Sequence, residues 1–125
     1  MEININYKNN DIKIFSWHIL PFRIFWKDLL DDEFKNVRYS IENSLKYKNI
    51  PEIICADMNF NEIEKLIPNI FKQWFKSILP DLQTTPDWNK YDKIIISHEI
   101  ILVNSEIIVW KADHYLCYAD LKFNF

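Results

Sequence analysis

Residues 53–60 read Ile-Ile-Cys-Ala-Asp-Met-Asn-Phe, and this stretch decides the fold because it joins a short apolar run directly to two polar side chains. The apolar run predicts a strand over residues 52–56 that is buried on both faces. Asp57 and Asn59 follow the end of that strand. Polar side chains at the ends of buried strands are where α/β-type scaffolds place their chemistry.

Two further motifs downstream carry the same kind of residues. Asp92 follows Tyr91 and opens the apolar run Lys-Ile-Ile-Ile, while Asp113 and His114 lie between two apolar stretches that predict strands. With Asp57 and Asn59, these residues supply oxygens that can bind a metal ion, an amide, and a histidine with a possible carboxylate partner. This set predicts a metal-assisted hydrolase of phosphodiesters.

The sequence around the first motif predicts alternating strands and helices. Residues 12–20 are β-prone and end at Pro21, which predicts a strand. Apolar residues at steps of three and four predict a helix over residues 27–47. Asn61 followed by Glu64 resembles a capping box and predicts a second helix that continues to Pro80.

The remainder predicts a run of strands. Residues 81–90 are polar and predict a loop, and the apolar runs after them predict strands over residues 93–97, 99–103, 106–110 and 115–123. Asn104-Ser105 is expected to form a hairpin turn between two of them. The expected fold class is α+β, with a mixed, mostly antiparallel sheet that carries helices on one face. The other face is apolar too, and needs a second sheet or a partner.

Composition sets limits on these interpretations. Hydrophobic residues make up 49% of the chain, which is enough to bury a core, and the net charge of −3 argues against a strongly basic nucleic-acid binder. Because the chain contains no glycine, turns with positive φ must use other residues, and Asn9, Asn10, Asn89 and Asn104 are expected there.

The two cysteines predict free thiols, and the N-terminus carries no export signal. Cys55 and Cys117 lie in apolar runs, which predicts two buried free thiols. Residues 1–13 alternate polar and apolar side chains and do not form a signal peptide. No apolar run reaches the roughly 18 residues that a transmembrane helix needs. We therefore expect a cytoplasmic protein without membrane contact.

The three motifs, in this order and each joined to an apolar strand, resemble the endonuclease/exonuclease/phosphatase superfamily. Its members carry Gly-Asp-x-Asn, then an Asp that opens an apolar strand, then Ser-Asp-His. Here Ala56 and Ala112 stand in place of the glycine and the serine. The resemblance implies a single domain over residues 1–125, which is the C-terminal half or a compact version of the four-layer α/β/β/α sandwich.

The resemblance also implies roles for the first motif. Asp57 would orient or deprotonate the attacking water, or bind a metal ion. Asn59 would hold the scissile phosphate through its amide NH₂ group without adding negative charge. Asp113 would be a second metal ligand. Because these ligands are hard oxygens, Mg²⁺ or Mn²⁺ is the expected ion.

The histidines complete the implied site. His114 would act as general base or as a ligand of the phosphate in the transition state, and Asp92 would orient it and stabilise its imidazolium form. His18 would contact the phosphate or protonate the leaving oxygen. An alternative alignment places His18 where the family has an asparagine on its first strand. His98 is expected to be a turn residue without a catalytic role.

Two main function hypotheses remain open, beside a weaker third: an unrelated small α+β binding domain in which the motifs arise by chance. One is a phosphodiesterase or phosphomonoesterase, with nucleic acid as the leading substrate class by resemblance. The other is an inactive remnant that serves as an interaction module, since family members are about twice as long and bring a metal-binding glutamate that has no counterpart here. A homodimer, or a separately supplied N-terminal half, would then cover the exposed sheet face.

Overall fold

The computed structural model describes residues 1–22, 26–46 and 49–125. The strands are β1 Glu2–Tyr7, β2 Asn10–His18, β3 Glu52–Asp57, β4 Phe75–Ser77, β5 Asp92–Ser97, β6 Ile101–Ile108 and β7 Leu116–Lys122. The helices are α1 Lys35–Ser44, α2 Ile63–Leu66 and α3 Pro68–Gln73, and a 3₁₀ turn, Asp32–Phe34, precedes α1. None of the helices formed by the described residues is long and apolar enough to cross a membrane.

The strands form two sheets. The larger sheet has the order β1-β2-β3-β5-β4, and the smaller is the hairpin of β6 and β7. Only the neighbours β2 and β3 of the larger sheet run parallel, while its other pairs are antiparallel. The predicted α+β class with a mixed, mostly antiparallel sheet is therefore confirmed.

The two faces of the larger sheet are covered differently. Ile54 and Ile95 are fully buried in one apolar cluster, which also holds residues of α2 and α3. Their sequence neighbours point the other way, because side chains alternate along a strand. There Ile94 and Ile96 pack against apolar residues of the β6–β7 hairpin. The result is three layers: helices, the larger sheet and the hairpin.

Two strands are absent from the sequence-based prediction. β1 pairs along its whole length with β2, although every one of its side chains is exposed. β4 lies inside the stretch predicted as one long helix from Asn61 to Pro80, so that prediction is wrong. The backbone turns from α3 into β4 because Phe75 pairs with Ser97 of β5 and is fully buried there.

The first predicted helix is shorter than expected. It was predicted over residues 27–47, whereas α1 covers Lys35–Ser44, and the predicted end at residue 47 lies outside the described residues. The segment before α1 is held by Arg38, whose guanidinium donates hydrogen bonds to the carbonyl oxygens of Leu29 (2.6 Å) and Asp31 (2.7 Å). These bonds hold the backbone before α1 in a non-helical conformation, although its apolar residues continue the helical spacing.

The expected turn at Asn104-Ser105 is also wrong. Both residues lie inside β6, opposite Asp120 and Ala119, and a register irregularity between Leu102 and Asn104 marks a bulge. The two strands predicted over residues 99–103 and 106–110 are therefore one bulged strand. His98 does lie in a turn, between β5 and β6.

Two local predictions need correction as well. Cys55 and Cys117 are free, but Cys55 is exposed and Cys117 is only partly buried. Of the asparagines expected at positive φ, Asn9 is confirmed at 65°, whereas Asn10, Asn89 and Asn104 are not in that region. Before Asn89 it is Trp88 that takes the positive φ, at 68°.

Candidate active site

Three of the predicted residues lie side by side on neighbouring strands. His18 at the end of β2 is in register with Asp57 at the end of β3, and Asp57 is in register with Asp92 at the start of β5. Residues in register lie on the same face of a sheet. Here that face carries the hairpin, since Asp92 is on the same side as Ile94 and Ile96.

His114 joins this row from the turn that precedes β7. Its Nδ1 lies 2.9 Å from Asp92 Oδ2 and 3.1 Å from Oδ1, so an Nδ1–H group donates to the carboxylate. Its Nε2 lies 3.7 Å from Asp57 Oδ2. The imidazole is therefore oriented by Asp92 and directed at Asp57. The predicted pairing of Asp92 with His114 is the geometry found.

The partner of His114 determines its charge. The hydrogen bond that His114 donates to Asp92 raises the pKa of His114 above its ordinary value, more than partial burial lowers it. The negative charges of Asp92, Asp57 and Asp113 raise the pKa further. A raised pKa favours the imidazolium form, which can donate from Nε2 to an anion.

Asp57 lies at the centre of the row. Its Oδ1 accepts a hydrogen bond from the backbone N–H of Asn59 at 2.9 Å. Its Oδ2 lies 3.6 Å from His18 Nε2 and 3.7 Å from His114 Nε2. Both separations exceed a hydrogen-bond length, so Oδ2 can still accept from a water molecule.

Asn59 adopts the left-handed conformation, with φ of 46°, which asparagine tolerates better than most residues. Its Nδ2 donates to the carbonyl oxygen of Ile19 at 2.8 Å. That contact ties the turn after β3 to the end of β2. Since an amide NH₂ has two hydrogens, one remains beyond this bond, and phosphate binding by Asn59 stays a prediction.

The predicted metal ligands are not gathered into a complete set. Asp113 is exposed in the turn before β7, and it acts on His114 only through its charge. Within residues 1–22, 26–46 and 49–125, no group of three or more His, Cys, Asp or Glu is arranged to hold a metal ion. The described side chains therefore do not make a metal site by themselves, and metal binding by Asp57 and Asp113 remains a prediction.

A buried threonine that the sequence reasoning missed supports the row. Thr84 is 1% exposed, and its Oγ1 accepts a hydrogen bond from the Asp92 backbone N–H at 3.1 Å. Its carbonyl oxygen accepts from the N–H of Tyr115 at 2.7 Å. Thr84 thus links the segment that carries Asp92 to the segment that carries His114. Its position in a polar loop gave no signal of this role.

Three cavities have a residue of the row in their lining. One, of about 350 Å³, is lined by Trp110, His114, Tyr115 and Leu116. Another, of about 640 Å³, includes Asp92, Trp88 and Lys90 in its lining. The third, of about 320 Å³, includes His18. The first contains the imidazole that faces Asp57, so a group bound there lies next to the row of His18, Asp57, Asp92 and His114.

Three solved structures resemble this chain over most of its length. An endonuclease/exonuclease/phosphatase family protein from Leptotrichia buccalis C-1013-b has a TM-score of 0.70 and 20% identity over 98% of this chain. A mannosyl-6-phosphatase from Bacteroides thetaiotaomicron VPI-5482 has a TM-score of 0.57 and 13% identity over 93% of this chain. CdtB, the biologically active subunit of cytolethal distending toxin, has a TM-score of 0.57 and 12% identity over 91%.

This chain spans only about half of those proteins: 53% of the first, 53% of the second and 49% of the third. No protein-family model matches the sequence, and no curated protein matches it. At these identities the likeness concerns the fold. The predicted resemblance is confirmed at that level, and the chain has the fold of one half of the endonuclease/exonuclease/phosphatase proteins.

Proposed function

We propose that this chain hydrolyses phosphodiester or phosphomonoester bonds with the help of a divalent metal ion. The observation that carries the proposal is the row of His18, Asp57, Asp92 and His114, in which a carboxylate oxygen that can accept a proton lies between two imidazoles. Carboxylate, imidazole and amide groups at one rim of a sheet suit the handling of an anion and its attacking water.

His114 is proposed to stabilise charge rather than to remove a proton. Because Asp92 raises its pKa, the imidazolium form can donate from Nε2 to a phosphoryl oxygen as negative charge develops there. Asp92 holds the ring orientation through Nδ1 and stabilises the cation. His18, whose side chain is 69% exposed, is proposed to contact the phosphate or the leaving oxygen from the other side of Asp57.

Asp57 is proposed to orient the attacking water and accept its proton. Its Oδ1 is fixed by the Asn59 N–H, so Oδ2 is the oxygen that faces the substrate. A positioned general base contributes roughly 10²–10⁴-fold to a rate. Asn59 is proposed to donate its remaining amide hydrogen to a phosphoryl oxygen.

Mg²⁺ or Mn²⁺ is the proposed ion, because hard oxygens suit these cations. Asp113 is proposed as a ligand, and Asp57 as a ligand in place of its role toward the water, not together with it. The described residues do not complete its coordination, so none of the steps above is assigned to the ion. Nucleic acid is the proposed leading substrate class. The resemblance carries that choice, and other phosphoesters fit the row as well.

A hydrolysis assay tests the proposal. The chain is incubated with supercoiled plasmid and with bis(p-nitrophenyl) phosphate in the presence of Mg²⁺ or Mn²⁺, and then with chelator. We expect hydrolysis that chelator stops and that Asp57→Asn and His114→Gln each lower by about 10²-fold or more.

Matched substitutions away from the row serve as controls. His98→Gln changes a histidine whose Nε2 contacts the Phe75 carbonyl oxygen, and Asp120→Asn changes an exposed carboxylate on β7. Both variants should keep full activity. Hydrolysis that survives Asp57→Asn, or that falls equally in the controls, would contradict the proposed roles.

A second candidate function is a binding module without activity. It is favoured by an apolar strip on the hairpin side of the larger sheet, formed by Ile3, Ile5 and Cys55. Ile3 and Ile5 are 44% and 42% exposed, and Cys55 is exposed too. A second copy of the chain, or a separate N-terminal half that adds a metal ligand, would bury this strip.

Two measurements separate the candidates. Well-folded protein without turnover, together with an elution volume on a sizing column that depends on protein concentration, would support a module that pairs with itself. Ile5→Lys should then restore the monomer, since it places a charge in the buried interface. Chelator-sensitive turnover by a monomer at every concentration would exclude this candidate.

A further inference from the structure

The cavity of about 350 Å³ beside His114 is the feature that the proposed chemistry leaves unexplained. Its walls are Trp110, His114, Tyr115 and Leu116. Trp110 lies two residues after the end of β6 and is 66% exposed, and Leu116 at the start of β7 is 57% exposed. Large apolar side chains exposed beside a catalytic imidazole are informative, because exposure of such surface in water is unfavourable.

Three of the four walls are held in place by contacts outside the cavity. The His114 ring is oriented by Asp92. The backbone of Tyr115 is fixed by the Thr84 carbonyl oxygen. Leu116 is in register with Ile108 in the hairpin. These three walls are therefore set by the fold, and their position relative to the row of His18, Asp57, Asp92 and His114 is set with them.

The lining determines the chemistry of the group that fits. Of the described residues that line it, His114 is the only one with a charge near neutral pH, and it faces the row. The hydroxyl groups of a sugar or an inositol would find few partners on the other walls, which is unfavourable. A lipid chain would extend beyond a cavity of this size, since drug-sized ligands already occupy about 300–1,000 Å³.

A planar, neutral, aromatic group has no sugar hydroxyl groups that need partners, and it is smaller than a lipid chain. Indole and phenol rings bind nucleobases by stacking, and such stacking tolerates any base because each has a π face. A base is also linked through its sugar to a phosphate, so a base in the cavity brings its own phosphate to His114. Neither a free sugar phosphate nor a lipid phosphate offers this combination.

We propose that Trp110, Tyr115 and Leu116 form a subsite for the base of a nucleotide whose phosphate is the one bound at Asp57 and His114. This inference rests on the proposed phosphoesterase function and narrows its substrate class to nucleotide esters. Trp110 is the specificity-determining residue, because its ring offers the largest stacking surface of the walls.

Binding measured without turnover tests the subsite. Thymidine 5′-monophosphate and 2-deoxyribose 5-phosphate are titrated into the ¹⁵N-labelled chain, and the tryptophan indole N–H and His114 ring signals are followed by NMR. The Trp110 indole signal is identified by its loss in Trp110→Ala. We expect both ligands to shift His114, only the nucleotide to shift Trp110, and the nucleotide to bind at least about five-fold more tightly.

Two substitutions of Trp110 and one control test whether this residue causes the preference for the nucleotide. Trp110→Ala should remove the preference for the nucleotide while leaving the binding of deoxyribose 5-phosphate unchanged. Trp110→Phe should retain part of the preference, since a smaller ring still stacks. Tyr39→Ala is the matched control, because Tyr39 is an aromatic residue of similar exposure, 62%, on α1. It should change neither affinity.

The failure of this inference can be told apart from failure of the proposed function. If both ligands shift His114 with equal affinity, or if Trp110→Ala leaves the nucleotide preference intact, the subsite is overturned while phosphate binding stands. If neither ligand shifts His114, phosphate binding at the row is overturned, and the subsite with it.

Discussion

The two faces of the larger sheet show how differently one set of strands can be used. On the helix side, Ile54, Ile95 and Phe75 are each 0% exposed in a single apolar cluster. On the hairpin side, Ile96 is equally buried, but Cys55, two residues along β3 from Ile53, is exposed. The hairpin covers the β5 end of its face. At the β1 end, Phe125 contacts Tyr7, but Ile3 and Ile5 remain 44% and 42% exposed.

The two faces therefore contribute differently: the helix side to stability and the hairpin side to the candidate active site. The sealed helix side carries the burial that favours folding, because apolar surface removed from water stabilises the folded state. The candidate active site lies on the other face, where the hairpin ends and side chains remain reachable. Polar and titratable groups tolerate such a rim, whereas in the sealed cluster each would need a partner.

The largest effect is expected from a substitution in the sealed cluster. Ile54→Ala should lower the free energy of unfolding by about 2–5 kcal/mol, since it removes buried methyl groups and leaves a cavity. Ile3→Ala, on the uncovered strip, should change it by no more than about 0.5 kcal/mol. Urea unfolding followed by circular dichroism measures both. Equal losses would mean that the strip is buried in solution and would remove the contrast between the faces.

The second largest effect is expected on the pKa of His114. Asp92→Asn removes the main cause of the raised His114 pKa, so that pKa should fall toward its ordinary value of about 6.5. In the unchanged protein, the pair stabilises the fold fully below pH about 6.5, and this contribution is lost as the pH rises through the raised pKa of the folded state. NMR titration of the His114 ring measures the shift.

Urea unfolding at pH 5.5 and pH 8.5 measures how much the titration of His114 contributes to the free energy of unfolding. The pH-dependent part of the stability that arises from His114 should be smaller in Asp92→Asn than in the unchanged protein. Asp120→Asn, on β7, is the control and should leave the His114 titration unchanged. A His114 pKa that stays raised in Asp92→Asn would assign the shift to Asp57 and Asp113 instead.

The sequence predicted the residues of the candidate site better than it predicted the strands of the larger sheet. Asp57, Asp92 and His114 each adjoin an apolar run, and such local signals predict strand ends and the side chains they carry. β4 had no comparable signal, since its three residues continue a helical pattern and pair only with the distant β5. β1 was missed because an edge strand with wholly exposed side chains has no buried face to reveal it.

Contacts between residues that are distant in sequence also explain the wrong prediction in the hairpin and the residue of the site that the sequence missed. A polar Asn104-Ser105 pair is typical of a turn, but the pairing of β6 with β7 continues through it and absorbs it as a bulge. Thr84 owes its linking role to Tyr115, which is distant in sequence, as well as to Asp92. Local patterns carry no information about such contacts.

A smaller effect is expected at Thr84, which links the segment that carries Asp92 to the segment that carries His114. Thr84→Val replaces the hydroxyl that accepts the Asp92 backbone N–H and leaves that partly buried donor without this partner, which costs about 1–3 kcal/mol. Thr84→Ser keeps the hydroxyl and should restore most of the loss. Urea unfolding measures the stability. If Thr84→Ser were as damaging as Thr84→Val, packing of the methyl group rather than the hydrogen bond would hold the segment.

The smallest effect on stability, and the most direct comparison of the two sides, comes from the cysteines. Cys55→Ser should change the free energy of unfolding by no more than about 0.5 kcal/mol, because the side chain is exposed. Labelling with a thiol reagent should be faster at Cys55 than at Cys117. Burial, with the nearby charge of Asp92, raises the pKa of Cys117 to about 11, and the thiolate is the reactive form.

Partial desolvation also raises the pKa of Cys55, so the difference in rate depends on access as well as on ionisation. Cys55→Ser and Cys117→Ser, each labelled alone, assign the two rates. If Cys55 is labelled quickly at low protein concentration and slowly at high concentration, a second copy covers the strip of Ile3, Ile5 and Cys55. If it is labelled slowly at every concentration, the strip is closed within the single chain, and the two faces of the sheet are more alike than their exposures indicate.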